Sequence, residues 1–248
     1  MPVITQIATA SWSGARAVWT AAALIVVFAL IARWLRGVSL SGAVAGAIVC
    51  SLLYAGGGLG MFLTLVTVFA LTWIATRVGY QRKLRLGIAE TPQGRKASQV
   101  LANLSVAAVS SLLYSWPPGK TMFLVAAAAA LSEAAADTVS SELGQASSDR
   151  AWLITTWEQV RAGTDGAVSW FGTLAGLAAA IAVSLVCVLT QTLPRRWLGI
   201  SIFAAFAGTL ADSLLGATLQ RRRTLNNDAV NLLSTLVAAG IAAVAVSI

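Results

Sequence analysis

Histidine is absent from the 248 residues, acids number only nine, and charged side chains make up 10% of the chain. Without imidazole there is no ordinary acid or base that titrates near neutral pH, and the commonest transition-metal ligand is missing. Soluble domains carry roughly 25% charged residues, so too few are present here to cover a water-facing surface. The two cysteines, Cys50 and Cys187, lie in separate apolar runs. They are too few and too far apart for a zinc site or a disulfide framework, and read as small core residues. A soluble enzyme, a disulfide scaffold and a disordered chain are excluded.

What is present is 58% hydrophobic, with a mean hydropathy of +0.80. A membrane span takes about 20 apolar residues. Apolar runs read as helices at 17–36, 38–54, 59–78, 98–115, 120–143, 166–192, 197–219 and 228–247. The second is short and the fifth is polar, so an all-α polytopic membrane protein of seven to eight spans is expected. The N-terminal apolar stretch is too long for a cleaved signal and has no small-residue cleavage site after it. Gly56, Gly57 and Gly58 read as an external turn, and Trp12, Trp19, Trp34, Trp116 and Trp197 near span ends as interfacial anchors.

An eight-span path divides the 17 cations unevenly. One side receives Arg33 and Arg36, the loop set Arg77, Arg82, Lys83, Arg85, Arg95 and Lys96, then Arg150, Arg161 and Arg221 to Arg223. The other receives Arg16, Lys120, Arg195 and Arg196. The positive-inside rule makes the richer side cytoplasmic and both termini external. A prokaryotic inner membrane, with the active site facing the cytoplasm, is the expected location. The net charge of +8 then reflects topology and contact with membrane lipids, not nucleic acid, since no solvated basic domain exists.

The acids are more informative. Glu90, Glu142, Asp149, Glu158, Asp165 and Asp228 fall in or beside cytoplasmic connections, whereas Glu133, Asp137 and Asp212 lie within spans five and seven. An internal repeat relates two of them. Asp137 precedes Gln145 by eight residues, as Asp212 precedes Gln220, and Ala167-Val168 with Thr173-Leu174 parallels Ala229-Val230 with Thr235-Leu236. Spans five–six and seven–eight therefore read as two parallel copies of one hairpin. Val38-Ser39 with Gly42 faintly matches Val168-Ser169 with Gly172. The chain is expected to be one membrane domain: 1–118 with the basic loop, and 119–248 with two tandem acid-bearing hairpins.

Packed about a two-fold axis, the hairpins bring Asp137 and Asp212 to one depth, where two carboxylates repel unless a proton or a cation joins them. A buried Asp costs about 2.5–3.5 kcal/mol on insertion scales, so two readings stand. One is a neutral acid that links helices. The other is a divalent-cation site in which Glu142 and Asp228 assist; Mg²⁺ favours carboxylate oxygen. The basic residues Lys83, Arg85, Arg95 and Lys96 read either as lipid anchors or as a phosphate clamp. Gly163 and Thr164, at the start of span six, suit an anion at a helix N-terminus and equally an ordinary cap. Asn227 holds the matching place in the second hairpin.

These residues also carry a likeness. Residues 136–144 (Ala-Asp-Thr-Val-Ser-Ser-Glu-Leu-Gly) resemble a signature segment of the integral-membrane "domain of unknown function 92" family. That family includes eukaryotic transmembrane protein 19 and the phytyl-phosphate kinase of plants and cyanobacteria. Residues 163–176, 212–220 and 227–235 are similar to its later blocks, and 41–43 with 99–103 to its first half. Val139 and Arg161-Ala162 depart from the usual tryptophan and proline. The resemblance implies a CTP-using kinase that adds a phosphate to an isoprenyl monophosphate. In that reading Asp137, Glu142, Asp212 and Asp228 would hold Mg²⁺, and Lys83, Arg85, Arg95 and Lys96 would hold nucleotide or lipid phosphate. Asn103, Ser141, Gly163, Thr164 and Asn227 would complete the polar lining. The alternative is a carrier or flippase for a phosphorylated lipid or a cation.

Overall fold

The structure, a computed structural model, describes residues 3–116, 120–147 and 150–247 (backbone alone before residue 17). Asp149 lies outside the described residues. The helices are α1 (Val3–Trp34), α2 (Leu40–Arg77), the short α3 (Tyr80–Arg85), α4 (Ala97–Ser115), α5 (Thr121–Ser147), α6 (Trp170–Leu189), α7 (Leu198–Leu215) and α8 (Asn227–Ser247). A π-helical turn, Gly216–Gln220, continues α7. Seven of these helical segments are long and apolar enough to cross a membrane.

The 38 residues of α2 would span about 57 Å as one straight helix. They do not. Trp73 Nε1 donates to Leu35 O at 3.1 Å and Arg77 Nη2 donates to the same carbonyl at 2.6 Å, so the end of α2 returns to the residues before its start. The chain reverses at Gly58, where φ 61° and ψ −152° lie in a region essentially restricted to glycine. Its arms, 40–57 and 59–77, run antiparallel for about 27 Å each. Seven helices thus supply eight crossing segments.

Helix α5 occupies the centre and packs on α2, α4, α6, α7 and α8. Ala126–Ala130 and Ala134–Ala136 are all buried, and side chains this small let neighbouring backbones come close. By contrast α1 packs chiefly on α2, and Trp19, Trp34 and Trp116 are exposed, as lipid-facing anchors would be, whereas Trp197 is half-buried against the core cluster around Leu193 and is no such anchor.

Cross-connections gather the polar segments at one end of the bundle. Ser39 N donates to Arg95 O at 2.9 Å within a parallel bridge between Val38 and Arg95. Lys83 meets Glu142, and Gln220 meets Asp165. The cation-rich connections all lie there, while α1 runs toward this end and α8 away from it. Its assignment to the cytoplasm is the expectation carried by the charge bias.

The connection before α6 is more ordered than expected. It forms a three-stranded antiparallel sheet, ordered β2-β1-β3, from β1 (Arg150–Leu153), β2 (Gln159–Arg161) and β3 (Ala167–Val168). Alternation in β1 buries Ala151 and Leu153, a signal too short to stand out between apolar spans. Gly163 and Gly166, at φ 84° and 73°, form the turn between β2 and β3. They do not open the sixth span, as the sequence suggested: Ser169 caps α6 instead, its hydroxyl accepting from Gly172 N at 3.1 Å. Ser39 caps α2 in the same way, accepting from Gly42 N at 3.1 Å. The faint echo between 38–42 and 168–172 is thus a repeated cap.

Cysteine introduced at Ile88 or Thr224 is expected to react with a membrane-impermeant maleimide only from the cytoplasmic side, and cysteine at Gln191 only from outside. Native Cys50 and Cys187 are buried and stay silent. Labelling of 88 and 191 from the same side would refute the arrangement.

Candidate functional site

At the polar end, a cavity of about 230 Å³ lies between α4, α5, the small sheet, α7 and the start of α8. Its lining includes Arg95, Gln99, Asn103, Asp137, Ser141, Glu142, Gly163, Thr164, Asp212 and Asn227. A second cleft, apolar and about 260 Å³, runs between α1, both arms of α2 and α4. The two meet: Glu90, Arg95, Gln99 and Asn103 line both.

Asp137 and Asp212 meet side chain to side chain, the former from the middle of α5 and the latter from α7. Glu133, one turn earlier on α5, is 1% exposed and within electrostatic reach of both. Ser234 hydrogen-bonds its carboxyl, while its Oε1 has no hydrogen-bond partner. Gly208 leaves room for this acid, since a Cβ there would lie 2.6 Å from Glu133 Cγ.

A chain of amides surrounds the aspartates. Asn231, with its amide nitrogen turned toward α7, donates to Asp212 Oδ2 at 3.3 Å and to Asn227 O at 3.2 Å. Its Oδ1 accepts from Asn103 Nδ2 at 3.0 Å, an orientation assigned from these partners. Asn103 also donates to Gln99 O at 2.9 Å, and Gln99 Nε2 to Glu90 Oε2 at 3.2 Å. Arg95 sits 4.0 Å from Glu90, donates to Thr138 Oγ1 at 3.3 Å, and acts electrostatically on Asp137. Ser141 Oγ donates to Asp137 O at 3.0 Å.

On the sheet side, Thr164 Oγ1 donates to Arg161 O at 2.7 Å and holds the turn. Gln220, presented by the π-helical turn, donates to Asp165 Oδ1 at 2.9 Å. Burial pushes the Asp165 carboxyl above the usual carboxylate range, and the Arg221 charge opposes the shift.

Not every expected residue converges here. Lys83 is wholly buried outside both cavities, donating to Glu142 Oε2 at 2.5 Å, Thr76 O at 2.8 Å and Ala75 O at 3.2 Å. Its ammonium is fully engaged within the protein, so it is not a free phosphate clamp. Arg85 and Lys96 are exposed and line neither cavity, and Asp228, in the first turn of α8, lies off both linings. The expected four-acid ligand set is therefore not gathered, and no group of three or more metal-ligating side chains occurs among the described residues. What the site offers a hard cation is the Asp137–Asp212 pair alone. That suits Mg²⁺, which takes one or two carboxylates and keeps water or substrate phosphate for the rest. Thr138 and Asn231 were not among the candidate residues. The signal for Asn231 was its place four residues after Asn227 on one helix face.

Lys83 is buried and Glu142, 13% exposed, borders the polar cavity, so removing Lys83 should cost somewhat less than the roughly 3–5 kcal/mol of a fully buried broken pair. Lys83→Met should lower the melting temperature in detergent markedly, and Lys83→Met/Glu142→Leu should recover most of the loss. An unchanged melting temperature in the single variant would show that the pair is not structural.

Comparison with known proteins agrees with this architecture. The family model "Integral membrane protein DUF92" matches residues 23–239. An uncharacterized membrane protein of Methanocaldococcus jannaschii is 34% identical over 215 residues, 86% of this chain and 88% of that one. An uncharacterized membrane protein of Synechocystis is 33% identical over 77% of this chain and 76% of its own. Protein VTE6, chloroplastic, of Arabidopsis thaliana is 31% identical over 80% of this chain, but the match spans only 62% of that protein. No solved structure matches. The chain belongs to the DUF92 family of integral membrane proteins.

Proposed function

We propose that the protein phosphorylates an isoprenyl (phytyl-like) monophosphate at the cytoplasmic leaflet, taking the phosphoryl group from CTP or another nucleoside triphosphate. The observation that carries this reading is the junction of the two cavities. A site joining an apolar cleft to a polar cavity across Arg95, Gln99 and Asn103 matches a molecule with an apolar chain and an anionic head. The family resemblance supplies the reaction class.

Phosphoryl transfer needs positioning and charge neutralisation more than covalent chemistry. Arg95 would hold a phosphate through its planar fork, with Asn103, Ser141 and Thr164 lining the space around it. Asp137 and Asp212 would hold Mg²⁺, which when bound neutralises charge on the transferring group. The nucleophile is the lipid's own phosphate oxygen, already ionised, so a chain without histidine lacks nothing the step requires. A carrier alternates access between the two sides, whereas the acids here crowd one end and Val125, Ala128, Ala129, Leu193 and Ala204 pack into an apolar cluster at the other, which favours an enzyme.

Purified protein with labelled CTP, Mg²⁺ and a panel of prenyl monophosphates should yield labelled prenyl diphosphate. Failure with every common nucleoside triphosphate across the panel would sink the proposal. Asp137→Asn and Asp212→Asn should each lower transfer at least a hundredfold while the protein stays folded. Among the cations, Arg95→Ala should be severe, and Lys96→Ala or any single change in Arg221 to Arg223 mild. Equal, small losses at all five would show that the basic residues act only on the leaflet.

A further inference from the structure

The apolar cleft has a floor, walls and a charged mouth. Phe28 and Ala29 of α1 form one wall, and Gly42, Ala43 and Gly46 of the first arm of α2 another. Leu65 to Arg77 of the second arm runs along it for about 18 Å, and Ala134 of α5 lies at its inner side. Arg36, Arg77 and Arg95 stand at the mouth against a single carboxylate, Glu90, so the entrance favours an anion. Glu90, Arg95, Gln99 and Asn103 border both this mouth and the polar cavity, so the two spaces adjoin there.

We infer that this cleft is the seat of a single isoprenyl chain whose phosphate lies at Arg95, and that Gly46 sets how long a chain it accepts. The inference rests on the proposed lipid-phosphate substrate and deepens it. Three observations converge on that occupant. The lining is mostly apolar along the arms of α2, the charge is cationic at the end nearest the paired aspartates, and four side chains border both this space and the cavity where phosphate chemistry would occur. A nucleotide would find no polar partners deep in this cleft.

Gly46 is the position that makes the idea testable. A Cβ added there would meet no atom within 4 Å, although the residue lines the cleft. Gly42, one turn earlier, has no such freedom: a Cβ there would collide with the Arg95 carbonyl. A larger side chain at 46 would therefore project into the chain's space without displacing protein atoms.

Equilibrium binding of geranylgeranyl monophosphate and of dimethylallyl monophosphate would be measured on the full protein in detergent, without nucleotide and without turnover. Gly46→Phe should weaken the long-chain ligand at least tenfold and leave the short-chain ligand unchanged, with Gly46→Ala intermediate or neutral. Ala29→Phe, from the opposite wall, should act the same way and covers the case in which Gly46→Phe fails to fold. Unchanged long-chain binding in both variants, equal losses for both ligands, or no long-chain binding to the wild type would each overturn the inference. Because binding is read without catalysis, chain-selective binding in a protein that transfers no phosphate would refute the kinase reading and leave the cleft assignment standing.

Discussion

A carboxyl carried on a helix that touches protein on almost every side must find its partner inside the protein, and α5 carries three of them. Each is met by a different element. Glu133 finds Ser234 on α8, Asp137 finds Asp212 on α7, and Glu142 finds Lys83 on α3. An unmet charge in a membrane helix costs roughly 2.5–3.5 kcal/mol, and the Asp137–Asp212 contact is favourable only with a shared proton or a bound cation, so these contacts tie the rotation and depth of the surrounding helices to what occupies the site. The alanines allow close approach without dictating register; the acids supply the register. The three also differ in access, since Asp137 and Glu142 line the polar cavity while Glu133 lies sealed behind them.

The cations divide along similar lines. Lys83 is spent on the fold, while Arg85, Lys96 and Arg221 to Arg223 remain in solvent at the bundle's end. Arg95 is of a third kind. Its backbone is tied to the start of α2 through Arg95 N to Gly37 O at 3.1 Å and Ser39 N to Arg95 O at 2.9 Å. Its guanidinium is 21% exposed between the two cavities. A guanidinium carried on anchored backbone loses less freedom on meeting a phosphate than one on a free loop, so less of the interaction is offset by ordering.

Much of this was legible in the sequence, and the failures have physical causes. The spans followed from hydropathy, the glycine turn at 56–58 from its composition, and the meeting of Asp137 with Asp212 from an eight-residue spacing that recurs in two hairpins. Lys83 was misplaced because a lysine in a basic connection looks the same whether it faces solvent or turns inward. Its partner, Glu142, lies 59 residues away, and nothing local announces the pairing. The small sheet escaped because strands of two to four residues leave almost no periodicity to detect. Asn231 was overlooked for a related reason: its spacing from Asn227 puts it on the same helix face, but its bridge from Asn103 to Asp212 runs across helices and leaves no local trace.

The single-residue reversal at Gly58 bears on how the chain is built into a bilayer. Between the arms 40–57 and 59–77 there is no loop to be carried across the membrane on its own, and no charge there to resist or assist passage. The first arm, short for a span and rich in glycine and alanine, has little purchase on lipid by itself. The pair would therefore enter as one apolar wedge, its leading tip a glycine, while the basic residues on both flanks stay behind at the surface of origin. Any side chain at the tip that forbids a positive φ would oppose this folding-over at the moment of insertion, before tertiary packing could compensate.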